Sequence, residues 1–164
     1  MSRVVRILSL SEGERSLLAA FVAVALFGAG LAFVVVTRLN GIDILLHPIS
    51  LYDCWLIVSG AAGGILGLRL SLPYLGQAGP RGVVLAAVSV PYSVVIGAVV
   101  AGTFALPGFG TMFGPFAALM AFLDNPLLFA FWTVSIGAAH VLIMVWRRER
   151  DSLFALPPDD GIPA

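Results

Sequence analysis

The sequence predicts an all-α integral membrane protein, a bundle of four transmembrane helices with a short interfacial or re-entrant half-helix before the last span. Of its 164 residues, 60% are hydrophobic and only 11% are charged. A soluble domain is about 45–50% apolar and about 25% charged. Mean hydropathy is +1.04, and several uncharged runs reach the length of about 20 residues that a membrane-spanning helix needs.

The predicted spans lie in one membrane domain, residues 12–146. They cover about residues 12–38, 51–70, 81–106 and 127–146. Ser11 and Glu14 have the spacing of a capping box, which places the start of the first helix near residue 12. Residues 1–11 are expected to form an amphipathic or disordered cytoplasmic segment, and residues 147–164 a disordered, proline-rich cytoplasmic tail.

The segment 113–123 decides how many times the chain crosses the membrane. Its 11 residues would give a helix of roughly 17 Å, which is too short to cross about 30 Å of hydrocarbon. Pro107–Gly108 and Gly114–Pro115 close it on one side and Asp124–Asn125–Pro126 on the other, and proline disfavours helix in the residue before it. We therefore predict a separate half-helix. The alternative is one long helix, kinked at Pro126, that joins this segment to residues 127–146.

Arginine distribution predicts the orientation. With four spans, eight of the nine basic residues fall on one side of the membrane and only Arg38 on the other. A fifth span would reduce this bias to five against four. Because cytoplasmic flanks carry the excess of positive charge, we expect a bacterial inner-membrane protein with both termini cytoplasmic.

Small residues at four-residue spacing predict close helix packing, which helps to hold membrane helices together. Small stripes occur in the second, third and fourth predicted spans and indicate a tight bundle with little internal volume. An alternative is that the glycine face of the second span contacts a different protein. The predicted packing residues are Gly60, Gly63, Gly64, Gly67, Ser93, Gly97 and Gly137.

Few polar groups are predicted inside the membrane. His140 is the one ionisable residue well inside a span, and Ser89 and Tyr92 are expected near its depth. Such a residue is a candidate for proton handling or ligand binding, but we favour a neutral histidine satisfied by a hydroxyl or carbonyl. Arg38 and Asp53, at the opposite boundary, are expected to form an ion pair.

These observations favour a non-catalytic role. The sequence shows no nucleotide motif, no nucleophile–base arrangement, no carboxylate pair and no metal-ligand spacing, so no catalytic residue, metal or cofactor is predicted. No basic tract suggests a nucleic-acid partner, and the single cysteine excludes an internal disulfide. We expect an accessory or assembly subunit that packs against a larger membrane complex or self-associates in the bilayer. The alternative is a small homo-oligomeric transporter or channel with an inward-facing histidine, and a membrane enzyme has the least support.

Overall fold

The secondary structure is helical throughout the part of the chain that is described. The computed structural model describes residues 10–39 and 50–154, without the side chains of residues 38, 39, 153 and 154. Those ranges contain no strand. Five α-helices and one 3-10 turn make up the described chain: α1 Glu12–Leu39, α2 Leu51–Ser71, the turn Leu72–Tyr74, α3 Gly79–Ala105, α4 Gly110–Asp124 and α5 Pro126–Phe154.

Four of these helices, α1, α2, α3 and α5, are long and apolar enough to cross a membrane. This confirms the predicted all-helical class and the four candidate spans. The predicted capping box is also confirmed, since the Glu14 amide donates to Ser11 Oγ (3.2 Å) and the Ser11 amide donates to the Glu14 carboxylate (3.1 Å). Charged residues lie only near the ends of the four helices.

Neighbouring helices run antiparallel. Helix α2 packs between α1 and α3, α5 packs mainly on α1, and α4 packs mainly on α3. The end of the molecule that holds the first turn of α1, the turn Leu72–Tyr74 and residues 146–150 is called here the arginine-rich end. The other, where α1 ends and α4 lies, is called the α4 end.

The apolar core lies between α1, α3, α5 and the last part of α2. It is built mainly from aliphatic side chains and one indole: Ala20, Val24, Leu68, Leu75, Val90, Trp132, Ile136, Ala139 and Ile143. Leu75 belongs to the loop after the 3-10 turn and is fully buried. That loop is therefore part of the core and closes it at the arginine-rich end.

Helix α4 is separate from α5. Asn125 between them has extended backbone angles (φ −137°, ψ 91°), and its side-chain oxygen accepts from the Leu127 amide (3.2 Å). The single kinked helix is therefore excluded. Helix α4 has 15 residues and begins at Gly110, before the predicted start at residue 113, and it includes Pro115.

The last helix is longer than predicted. Helix α5 continues to Phe154, whereas the sequence predicted its end at residue 146 and a disordered tail from residue 147. Arginine and glutamate are good helix formers, and Arg147 and Glu149 both bond to other parts of the chain. The rest of the predicted tail, and nearly all of the predicted N-terminal segment, lie outside the described residues.

Candidate functional site

The glycines of α2 form two contacts with different helices. Gly60 lies against Gly28 of α1, and a Cβ at Gly64 would be 2.7 Å from the Val24 carbonyl oxygen. On the other side of the helix, Gly63 lies against Gly97 of α3. Both glycine faces are therefore covered within the chain.

Helix α3 makes further close backbone contacts, first with α2 and then with α4. A Cβ at Gly67 would lie 2.8 Å from the Ser93 carbonyl oxygen. Near the α4 end, Gly102 and Gly110 lie against each other, and Gly114 lies against Ala98. The first turns of α4 therefore run antiparallel to the end of α3 at backbone contact distance.

Gly137 departs from the packing prediction. It is exposed, and nothing lies within 4 Å of the position of its Cβ. Helix α5 instead turns larger residues inward, including Trp132, Ile136 and Ile143. The small-residue stripe misled the sequence interpretation because large apolar residues determine the inward face of this helix.

Most buried hydroxyl groups are satisfied by the helix that carries them. Ser71 donates to the Gly67 carbonyl (2.7 Å) and Ser89 donates to the Ala86 carbonyl (2.7 Å). Ser93 donates to the Val90 carbonyl (2.8 Å) and accepts from Trp132 Nε1 (3.2 Å). Among the described residues, the Ser135 hydroxyl is the one buried side-chain oxygen with no hydrogen-bond partner within the protein.

His140 is buried, with 8% of its surface exposed, and its partner is a backbone group. The amide of Gly76 donates to Nδ1 of the ring at 3.0 Å. The hydroxyl of Ser89, which was expected near the depth of His140, bonds instead to its own helix. Tyr92, also expected near the histidine, is 40% exposed and contacts Tyr74 edge-on, with ring centroids 5.6 Å apart.

A second residue of α5 holds the same loop. Arg147 lies two helical turns after His140, and its Nη2 donates to the Leu72 carbonyl (2.8 Å). Gly76 has φ +73°, in the left-handed region that glycine adopts at little cost. A Cβ at Gly76 would lie 2.7 Å from Ile143 and 3.0 Å from Arg147. The geometry is that of a structural clamp between α5 and the loop from α2 to α3.

At the α4 end, Asp53 caps its own helix. Its carboxylate accepts from the amide (2.8 Å) and hydroxyl (2.7 Å) of Ser50, and its amide donates to Ser50 Oγ (3.1 Å). The predicted partner, Arg38, has its side chain outside the described residues. Trp55 Nε1 donates to the Phe104 carbonyl (2.8 Å), which joins the start of α2 to the end of α3.

An apolar cavity of about 330 Å³ lies between α1, α2, α3 and α4. Its walls include Gly28, Gly60, Ala101 and Ala117, and Trp132 of α5 completes them. The expectation of little internal volume stays a prediction, because this space is open at the surface, where Tyr52, Leu106 and Phe113 are exposed. Glycine brings the helix backbones together in pairs, but short side chains leave the space between the four helices unfilled.

Three residues with structural consequences were missed by sequence reasoning. Trp132 is only 4% exposed and had no predicted packing role, Gly76 had none either, and Arg147 was assigned to the tail. The signal for Trp132 was its spacing of four residues from Ile136. The contacts of Gly76 and Arg147 form between segments that are distant in sequence. No local sequence pattern predicts such contacts.

The described residues therefore form an all-helical protein with four helices long and apolar enough to cross a membrane and one short apolar helix. No group of three or more His, Cys, Asp or Glu residues is placed to hold a metal within the described ranges. Comparison with protein-family models, curated proteins and solved structures finds no match for this chain.

Proposed function

We propose that the protein is a non-catalytic accessory or assembly subunit that packs against a larger complex in a bacterial inner membrane. One observation carries this proposal: most buried polar groups of the described residues bond within the chain, while α4 exposes large uncharged residues. The exposed apolar residues of α4 and its preceding turn are Phe109, Met112, Phe113, Phe116, Leu119, Met120 and Leu123. A surface rich in Phe and Met, without charge, matches the composition of the buried part of protein interfaces.

The proposed orientation places the arginine-rich end in the cytoplasm. Arg69 lies in the last turn of α2, Arg81 in the first turn of α3, and Arg15 in the first turn of α1. Arg147 and Arg148 are at the same end. This distribution supports cytoplasmic termini by the positive-inside rule, with α4 as an interfacial or re-entrant helix on the other side.

The experiment compares two exposed phenylalanines of similar accessibility. Phe116 on α4 is 59% exposed and Phe131 on α5 is 55% exposed. We expect wild-type protein and Phe131→Ala to migrate with a larger complex after extraction in mild detergent. Phe116→Ala is expected to reduce that co-migration, measured by mass spectrometry of the intact complex. Equal co-migration of both variants would exclude α4 as the contact surface. Wild-type protein that migrates alone would contradict the accessory role.

The alternative is a homo-oligomeric transporter or channel with an inward-facing histidine. The burial of His140 in a candidate span favours it. Two observations argue against it. The hydrogen bond to the His140 ring comes from the backbone amide of Gly76. The walls of the cavity carry no ionisable group apart from the Tyr52 phenol. Loss of a proton-linked flux in vesicles on substitution of His140 by alanine would support this alternative.

A further inference from the structure

The cavity between α1, α2, α3 and α4 is chemically uniform. Apart from Tyr52, its walls carry only aliphatic side chains, glycine backbone, Phe113 and Trp132. The indole N–H of Trp132 is already bonded to Ser93, and the helix backbone groups are bonded within their helices. Water needs two to four polar partners in a buried site, and apolar cavities stay dry or take apolar ligands. The walls of the cavity therefore favour a hydrocarbon ligand over water.

The volume limits what kind of hydrocarbon fits. The cavity has a volume of about 330 Å³. The space corresponds to roughly 11 groups of the size of a water molecule, each about 30 Å³, and a methylene group is of similar size. A linear chain of about that many carbons fills it.

The location of the cavity identifies the source of such a chain. Three of its walls are α1, α2 and α3, which are long and apolar enough to cross a membrane. The space is not sealed inside the core, because three of its wall residues, Tyr52, Leu106 and Phe113, are exposed at the surface. We propose that the cavity holds one acyl chain of a bilayer phospholipid. This inference rests on the membrane insertion assumed in the proposed function, but not on the accessory role.

Trp132 provides the probe. It lies in the cavity wall, yet only 4% of it is exposed. The full chain, with Trp132 left as its only tryptophan by Trp55→Phe and Trp146→Phe, is reconstituted in phosphatidylcholine vesicles that carry brominated acyl chains. Bromine quenches indole fluorescence at short range. We expect Ala117→Phe, which fills the cavity, to weaken the quenching.

Two controls separate the cavity from the surrounding lipid. Leu119→Phe adds the same ring on the exposed side of α4. Gly30→Leu fills a different groove, between α1 and α5, that also touches Trp132. Neither is expected to change the quenching. Native mass spectrometry provides a second measurement. We expect Ala117→Phe to retain about tenfold less phospholipid per chain. This factor corresponds to the loss of roughly two buried methylene groups.

Equal quenching and equal lipid retention in all variants would overturn the proposal. If Ala117→Phe does not fold, Ala105→Leu fills the cavity from α3 and has the same expected result. Carbonate extraction of wild-type membranes tests insertion separately. Release of the protein would refute both the membrane assignment and the acyl-chain site, whereas retained protein with unchanged quenching would refute the site alone.

Discussion

The Nδ1 atom of His140 accepts a hydrogen bond, so this nitrogen carries no proton in the described structure. The donor is the Gly76 amide, and the bond is buried. A buried amide that loses its acceptor costs about 1–3 kcal/mol. At the scale of the residue, His140 therefore stabilises the loop between α2 and α3 by accepting this hydrogen bond. This structural role accounts for a histidine inside the helix.

We expect His140→Ala to lower the free energy of unfolding by about 1–3 kcal/mol, because the Gly76 amide remains buried without a partner. The measurement is equilibrium unfolding in mixed micelles, followed by tryptophan fluorescence. Ser135→Ala is the matched control, since Ser135 is buried on the same helix and its hydroxyl has no partner within the protein. An equal effect of the two substitutions would show that the bond to Gly76 does not stabilise the fold.

Helix α2 shows how glycine determines packing at the scale of the element. Gly60 and Gly63 are three residues apart and face different neighbours, α1 and α3. Both are among the predicted packing positions. Gly67, four residues after Gly63, also contacts α3. Four-residue spacing alone does not say which neighbour each face meets.

We expect Gly60→Ala to cost about 1–3 kcal/mol relative to Gly30→Ala, because a Cβ at Gly60 overlaps the Gly28 carbonyl and Ala32. Gly30 lies in α1 with nothing within 4 Å of its Cβ position. Both changes are from glycine to alanine inside a helix and share the same propensity gain of about 1 kcal/mol. Their difference in unfolding free energy therefore isolates the contact, and no difference would mean that α1 and α2 separate without cost.

At the scale of the whole molecule, charge is confined to the ends and the interior is apolar. The arginine-rich end joins the first and last helices, since the carboxylate of Glu149 accepts from the Gly13 amide. The α4 end is held by Asp53, Asn125 and the bond from Trp55. Between the two ends lie the side-chain core around Ile136 and Ile143, the backbone contacts of the α2 glycines and the apolar cavity.

The proposed topology places the two ends on opposite sides of the membrane. In a Cys54→Ser background, Leu51→Cys at the α4 end is expected to react with a membrane-impermeant maleimide in intact spheroplasts. Arg148→Cys at the arginine-rich end should react only after permeabilisation. Both positions are exposed, so accessibility to solvent is matched, and the reverse pattern would invert the assigned orientation.

Some features of the fold could be predicted from the sequence, and others could not. Hydropathy and arginine distribution were sufficient for the four candidate spans, and Asn125–Pro126 was sufficient for the break before α5, because these signals are local. The partner of His140, the inward direction of Trp132 and the cavity were not predictable. They depend on how far apart helices lie, which the periodicity of one helix does not contain.

The contact between Gly13 and Glu149 also has a consequence for biogenesis. Helix α1 precedes α5 in the chain, and α2, α3 and α4 lie between them. The hydrogen bond from the Gly13 amide to Glu149 can therefore form only after α5 has been synthesised. Until then the first turn of α1 lacks this partner.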